Sequence, residues 1–190
     1  IFDNVVASTD LNESQRKALS SALRNCMILI QGPPGTGKTH VAAAIVKAWG
    51  QMRGDPNILL SCHSNQATDN LMQGILKQEA AKSEHCCRYV SKKEADKIED
   101  NGNPENHPLA PILFPHIAKK EAAKHWNSTY NAFARHVKET AQEMVKERRV
   151  FGATCDLIGN ESTPLRQFLF SCLLMDEACQ MTEPSAIKAI

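Results

Sequence analysis

Two short stretches of this chain carry residue types whose spacing suits chemistry. The octapeptide GPPGTGKT occupies residues 32–39 and fits G-x-x-x-x-G-K-[ST]. Far downstream, the apolar run FLFSCLLM (168–175) stops on two adjacent carboxylates, Asp176 and Glu177. In the first stretch, glycines allow backbone N–H groups to curl around phosphate oxygens at the positive end of a helix. The expected cradle consists of Gly32, Pro33, Pro34, Gly35, Thr36, Gly37, Lys38, Thr39 and His40. Lys38 is expected to reach the β- and γ-phosphates of ATP, and Thr39 to place its hydroxyl on Mg²⁺. A chance Gly/Pro turn would lack the flanking elements that this octapeptide has. The carboxylate pair suits the other wall of such a site. Asp176 is expected on the metal and Glu177 on the attacking water, because a carboxylate can accept the water's proton. The alternative for the pair is a dipole-favourable start to the helix in MTEPSAIKAI, but Glu183 and Pro184 already supply a first turn there.

The elements around these stretches must position them. LNESQRKALSSALRN reads as a helix, with Asn12 as N-cap and Gln15 three residues on. MILIQ (27–31) is a short apolar run suited to a buried strand before the octapeptide, and VAAAIVKAW (41–49) continues as a helix after it. A GDPN turn (54–57), a strand ILLSC (58–62) and a helix over residues 66–78 follow. This β–α–β–α order with short connections predicts a parallel sheet covered by helices. From residue 79 to 149 the strand rhythm stops: charges of mixed sign lead to the loop NGNPENHPLAP (101–111) and then to one or two long helices over 116–149. In those helices His125, Trp126, Tyr130, Phe133 and Val137 stand near helical spacing, and eight Lys/Arg face four Asp/Glu. Strands are expected again at VFGAT (150–154) and FLFSCLLM. The chain therefore divides into a sheet domain over 1–78 and 150–190 and a mainly helical insertion over 79–149.

Composition narrows the class. The chain has 190 residues, enough to bury a sizeable core, with 42% apolar and 23% charged residues. A formal net charge of +1 gives no global basic footprint, so nucleic-acid contact has to come from a local surface. Seven cysteines form no C-x-x-C pair and sit in apolar company, as expected of buried thiols in a reducing compartment. His85, Cys86 and Cys87 find no second Cys/His pair at zinc-ligand spacing. No apolar stretch reaches the length of a membrane span, so a cytoplasmic or nuclear location is expected. The chain starts on Ile1 and ends in AIKAI within a helical pattern, which reads as a piece of a larger protein.

The octapeptide alone names no family, since ring-forming AAA-type ATPases share it. Four further motifs stand in order: LNESQ (11–15), SCHSNQATDNL (61–71), FGATC (151–155) and DEACQMTEP (176–184). Together they resemble the amino-terminal RecA-like domain of superfamily 1B helicases, in the group of the nonsense-mediated-decay helicase, senataxin and the replication nuclease-helicases. The resemblance covers residues 11–78 and 150–185. It implies an α/β RecA-like P-loop fold and an ATP-dependent helicase or translocase on single-stranded RNA or DNA. A second RecA-like domain of the same parent chain is implied as partner. It further implies that Gln15 reads adenine, an alternative to its capping-box role, and that Ser64, Asn65 and Thr154 touch the nucleic-acid backbone. Gln180 is implied to couple the nucleotide site to movement between domains. Where the family's motif carries proline, this chain has His63. The family's arginine fingers come from the second domain, so the isolated chain is expected to bind nucleotide weakly and barely hydrolyse it. Two other classes compete: a catalytically silent binding platform, opposed by Lys38, Thr39, Asp176 and Glu177, and an AAA-type protein remodeller, opposed by DEACQ and SNQATDN. The basic residues of 116–149 fit either a strand-facing stalk or a solvated helix face.

Overall fold

The computed structural model describes residues 10–52, 56–124, 130–160 and 163–188. In chain order these form α1 (Glu13–Arg24), α2 (Lys38–Met52), β1 (Ile58–Cys62), α3 (Asn65–Lys77), β2 (Cys86–Tyr89) and α4 (Lys92–Asp100). They continue with β3 (Leu113–Phe114), α5 (His116–Lys124), α6 (Tyr130–Lys146), β4 (Val150–Thr154), α7 (Cys155–Ile158), β5 (Cys172–Met175) and α8 (Glu183–Ile187). The strands make one sheet in the order β3-β2-β4-β1-β5, and every ladder is parallel.

Parallel strands need both faces covered, and the alternation of side chains in β1 shows how this is done. Ile58, Leu60 and Cys62 point into a cluster with Ala43 and Val46 of α2 and with Leu71, Met72 and Ile75 of α3. Leu59, between them, joins Phe151, Cys87, Ala118 and Val145 on the other face, under α5 and α6. At Gly152 the approach of α3 to β4 is too close for a side chain: a Cβ there would stand 2.6 Å from Met72 Sδ. Phe168 and Phe170 pack against Phe151 at centroid distances of 5.3 and 5.5 Å, the first tilted and the second edge-on, and so close the second face before β5 begins.

The α/β architecture expected from the sequence is present, with three local differences. MILIQ is not a strand. Met27 and Leu29 are 80% and 86% exposed, and no ladder joins residues 27–31 to the sheet among the described residues. A buried strand requires a hydrogen-bonded neighbour. Here the segment only packs Ile28 against the α1–α2 cluster that Leu174 of β5 also touches. The second difference is that FLFSCLLM becomes a strand only from Cys172, because Phe168 and Phe170 are used in packing across the sheet face. The third lies in residues 79–149, which are mainly helical yet supply β2 and β3 to the same sheet. A four-residue strand and a two-residue strand among mixed charges leave little period to read. Arg148 and Arg149 tie this block together: Arg148 donates to the carbonyls of Ser83 and Glu84, and Arg149 N–H donates to His85 O at 2.8 Å. His125, Trp126, Gly54 and Asp55 lie outside the described residues.

Candidate nucleotide and nucleic-acid site

In open α/β sheets ligands bind beyond the carboxyl ends of the parallel strands. The register fixes which residues meet there: Cys62 lies beside Thr154, and Ser61 beside Met175. Ser64–Asn65, Thr154–Cys155 and Asp176–Glu177 therefore leave the sheet at its carboxyl end. The ladder is extended at that end by Asp176 N–H, which donates to Ser61 O at 3.0 Å.

The octapeptide folds as a tight loop feeding α2. Gly35 and Gly37 have φ of +79° and +80°, a region side chains rarely adopt. Thr36 folds over the loop, its hydroxyl donating to Pro33 O at 2.8 Å. Lys38 Nζ donates to Gly32 O and Pro33 O at 2.9 and 3.2 Å, so the ammonium lies within the loop it would serve. The first backbone bond of α2 runs from Val41 N–H to Gly37 O; the amides of Lys38, Thr39 and His40 precede it and have no partner within the helix. The Thr39 methyl faces Gly74 of α3, where a Cβ would stand 2.5 Å away. The side-chain oxygens of Thr39 and Asp176 are hard donors of the kind Mg²⁺ takes, so the donor set fits that ion.

Gln15 fulfils the capping box and more. Its Oε1 accepts from Asn12 N–H at 3.0 Å while its own N–H donates to Asn12 Oδ1 at 2.9 Å. Its Nε2 donates to Thr36 O at 3.0 Å, pinning α1 to the phosphate loop. A side-chain amide has two acceptor sites and two donor hydrogens. One of each stays available to a base edge, so the capping and adenine roles are compatible.

At the carboxylate pair the chain turns sharply. Glu177 is exposed in the left-handed region (φ 54°, ψ 33°), and its N–H donates to Asp176 Oδ1 at 2.9 Å. Holding a non-glycine residue there costs about 1–2 kcal/mol. Strain of this kind concentrates at functional turns. Half-buried Asp176 lies near Cys62, whose thiol is pushed up to about 12, first by burial and then by the Asp176 charge. Gln180 is exposed one short turn later, with its N–H donating to Glu177 O at 2.9 Å.

The nucleic-acid candidates take different roles. Ser64 is the N-cap of α3, its hydroxyl accepting from Ala67 N–H at 3.1 Å. Asn65 is half-buried, and its Oδ1 accepts from Arg88 at 3.0 Å. Thr154 is half-buried at the end of β4. Arg88 itself went unseen in the sequence reading, although one charged residue inside the apolar strand CCRY was the available signal. The α5 lysines are matched to acids: Lys119 pairs with Glu99 at 2.7 Å, Lys120 with Glu105 at 2.5 Å and Lys124 with Glu121 at 2.7 Å. Those pairs favour the solvated face over a strand-facing stalk.

The seven cysteines are all free thiols. Burial pushes Cys86 and Cys87 up to about 12, and no metal-binding cluster involves them among the described residues. Only the thiolate reacts with alkylating agents. Iodoacetamide at about pH 8 is therefore expected to label exposed Cys26 and Cys179 and to spare Cys62, Cys86 and Cys87. Mass mapping of the native protein checks this, and early labelling of Cys62 would contradict its burial.

Comparison with known proteins bears on the family of the chain. A family model described as an AAA domain matches residues 10–109. The chain is 31% identical over 192 residues to "Regulator of nonsense transcripts 1 homolog" of Arabidopsis thaliana, covering 94% of this chain and 14% of that protein. It is also 31% identical over 186 residues to "ATP-dependent helicase NAM7" of Saccharomyces cerevisiae, covering 95% of this chain and 18% of the relative. A Takifugu rubripes relative with a nonsense-transcript regulator name is 31% identical over 184 residues, covering 95% of this chain and 16% of its own length. The chain thus spans less than a fifth of the curated relatives it matches. No helix among the described residues is long and apolar enough to cross a membrane. With a family model matched over more than half its length, the chain belongs to the AAA domain family, and its α/β RecA-like P-loop fold is that of a segment similar to part of the nonsense-transcript regulators.

Proposed function

We propose that this chain is the nucleotide-holding part of a motor that hydrolyses ATP and moves along single-stranded nucleic acid. The observation that carries the proposal is the register of β1, β4 and β5, which sends Asp176–Glu177 and Ser64–Asn65 out of the same carboxyl end of the sheet. Chemistry at one pair and grip at the other then share a rigid support.

In this reading Lys38 exchanges the carbonyls of Gly32 and Pro33 for the β- and γ-phosphate oxygens. The amides of Lys38, Thr39 and His40 and the loop glycines hold the remaining phosphate oxygens. Thr39 and Asp176 would hold Mg²⁺, which neutralises charge on the phosphates. Glu177 accepts a proton from water as the water oxygen bonds to the γ-phosphorus. The bond from that phosphorus to the β–γ bridging oxygen breaks, and ADP and phosphate leave. Gln15 faces the base, and Gln180 passes the state of the site to a second RecA-like domain of the parent protein. Ser64, Asn65 and Thr154 lie toward the strand's backbone. The relatives' names concern transcripts, which favours RNA as the track.

The test is ATPase activity of the intact protein without nucleic acid, with oligo(U) and with oligo(dT). Expected is strong stimulation by single strands, steeply weakened by salt because phosphate contact releases counterions. Stimulation by oligo(dT) alone would replace RNA with DNA. No stimulation by either strand would overturn the motor reading.

A further inference from the structure

Arg88 is 0% exposed, which is unusual for an arginine and calls for full pairing. It stands on β2 and directs Nε and NH2 at the first turns of α3, and NH1 at its own neighbour on the strand. Nε donates to Asp69 Oδ1 at 2.5 Å, and NH1 donates to Tyr89 O at 2.6 Å. NH2 donates to Asn65 Oδ1 at 3.0 Å and to Asn65 O at 3.3 Å. Asp69 also has His107 Nε2 at 3.6 Å from its second oxygen, so the loop after α4 joins the same cluster. The planar guanidinium fork is thus used to fix both the side chain and the carbonyl of the first residue of α3.

We infer that Arg88 is a positioning residue for nucleic-acid binding, acting through Asn65 to hold the amino-terminal turn of α3 in the orientation that meets the strand. This inference rests on the reading that Ser64–Asn65 face nucleic acid. Being fully buried, Arg88 has no surface to offer a phosphate, so its influence on a strand passes through Asn65. A buried ion pair adds little net stability when complete, but it specifies geometry. Here the specified geometry is that of a helix start whose first amides lack partners within the helix. The residue also links the block 79–149, through β2 and His107, to the grip on the strand. Among the described residues its hydrogen bonds go to Asp69, Tyr89 and Asn65 and not to Lys38, Thr39, Asp176 or Glu177, so nucleotide chemistry should be spared.

The test uses Arg88→Lys in the intact protein, which keeps the charge and loses the fork. A fluorescent 20-mer of uridine or thymidine reports strand affinity, and a fluorescent ATP analogue reports nucleotide affinity. The expected result is strand affinity weakened about tenfold, with nucleotide affinity unchanged. The strand concentration that half-saturates the ATPase should rise while the rate at saturating strand stays near wild type, a split that loss of folded protein does not produce. The double variant Arg88→Lys/Asn65→Ala should be no weaker than the weaker single variant, since both changes cut one connection. Unchanged strand affinity, or additive losses in the double variant, overturns the inference. If Arg88→Lys does not fold, Asp69→Asn carries the same test, because it preserves side-chain volume and removes only the counter-charge. A wild-type protein that binds neither oligonucleotide instead sinks the underlying reading of Ser64–Asn65.

Discussion

Glu177→Gln in the intact protein is expected to lower ATP turnover by about 10²–10⁴, the range general-base catalysis contributes, with ATP affinity kept within a few-fold. The substitution keeps the shape of the side chain and removes only its ability to take a proton. The backbone argues that binding will survive. Glu177 N–H donates to Asp176 Oδ1, and Gln180 N–H donates to Glu177 O; neither bond involves the side chain. Glutamine tolerates the left-handed φ of 54° as well as glutamate does, so the turn and the placement of Asp176 persist. Single-turnover hydrolysis alongside titration with a fluorescent ATP analogue separates the two quantities. Turnover within about threefold of wild type would remove Glu177 from the role of base and return the pair to a helix-start reading.

Much of this candidate site is legible in the sequence because its parts are local. GPPGTGKT needs only eight consecutive residues with two left-handed glycines, and the elements around it announce themselves by period: ILLSC, VFGAT and the helix after SNQ. DEACQ follows an apolar run whose last four residues form β5. The fold class followed from the alternation of those runs with helices.

What escaped the sequence depends on contacts between distant residues. MILIQ has the composition of a strand, but a strand is a property of a pair, and no ladder reaches it among the described residues. β3 is two residues long and has no period at all; only pairing with Arg88 and Tyr89 makes Leu113 and Phe114 a strand. Gln15 presented two roles as rivals because a motif is read in one dimension. In space its amide caps α1 with one atom and reaches Thr36 with another. Arg88 and Asp69 are nineteen positions apart, and nothing in their spacing says that one guanidinium holds the start of the helix that carries the other.

Lys38→Ala should cost the intact protein about a hundredfold or more in ATP affinity, since each charge-assisted hydrogen bond to a phosphate is worth about 1.5–3 kcal/mol. The fold should not suffer in proportion. Lys38 Nζ donates to two carbonyls of the loop, Gly32 O and Pro33 O, and the loop around them is largely exposed. Water can satisfy both carbonyls once the ammonium is gone, so the thermal midpoint without nucleotide should barely move. The thermal shift produced by ATP should disappear, because ligand stabilisation follows from affinity for the folded state. Lys38→Arg is the sharper control. It keeps the charge but replaces a compact ammonium with a planar fork, in a loop where Thr36 already folds back over Pro33. If charge alone sufficed, Lys38→Arg would bind like wild type. The loop's narrow turn at Gly35 and Gly37 argues that it will bind nearly as poorly as Lys38→Ala. Wild-type affinity in Lys38→Ala would mean that the glycine-shaped amides hold the nucleotide alone, and that the lysine serves only to close the empty loop.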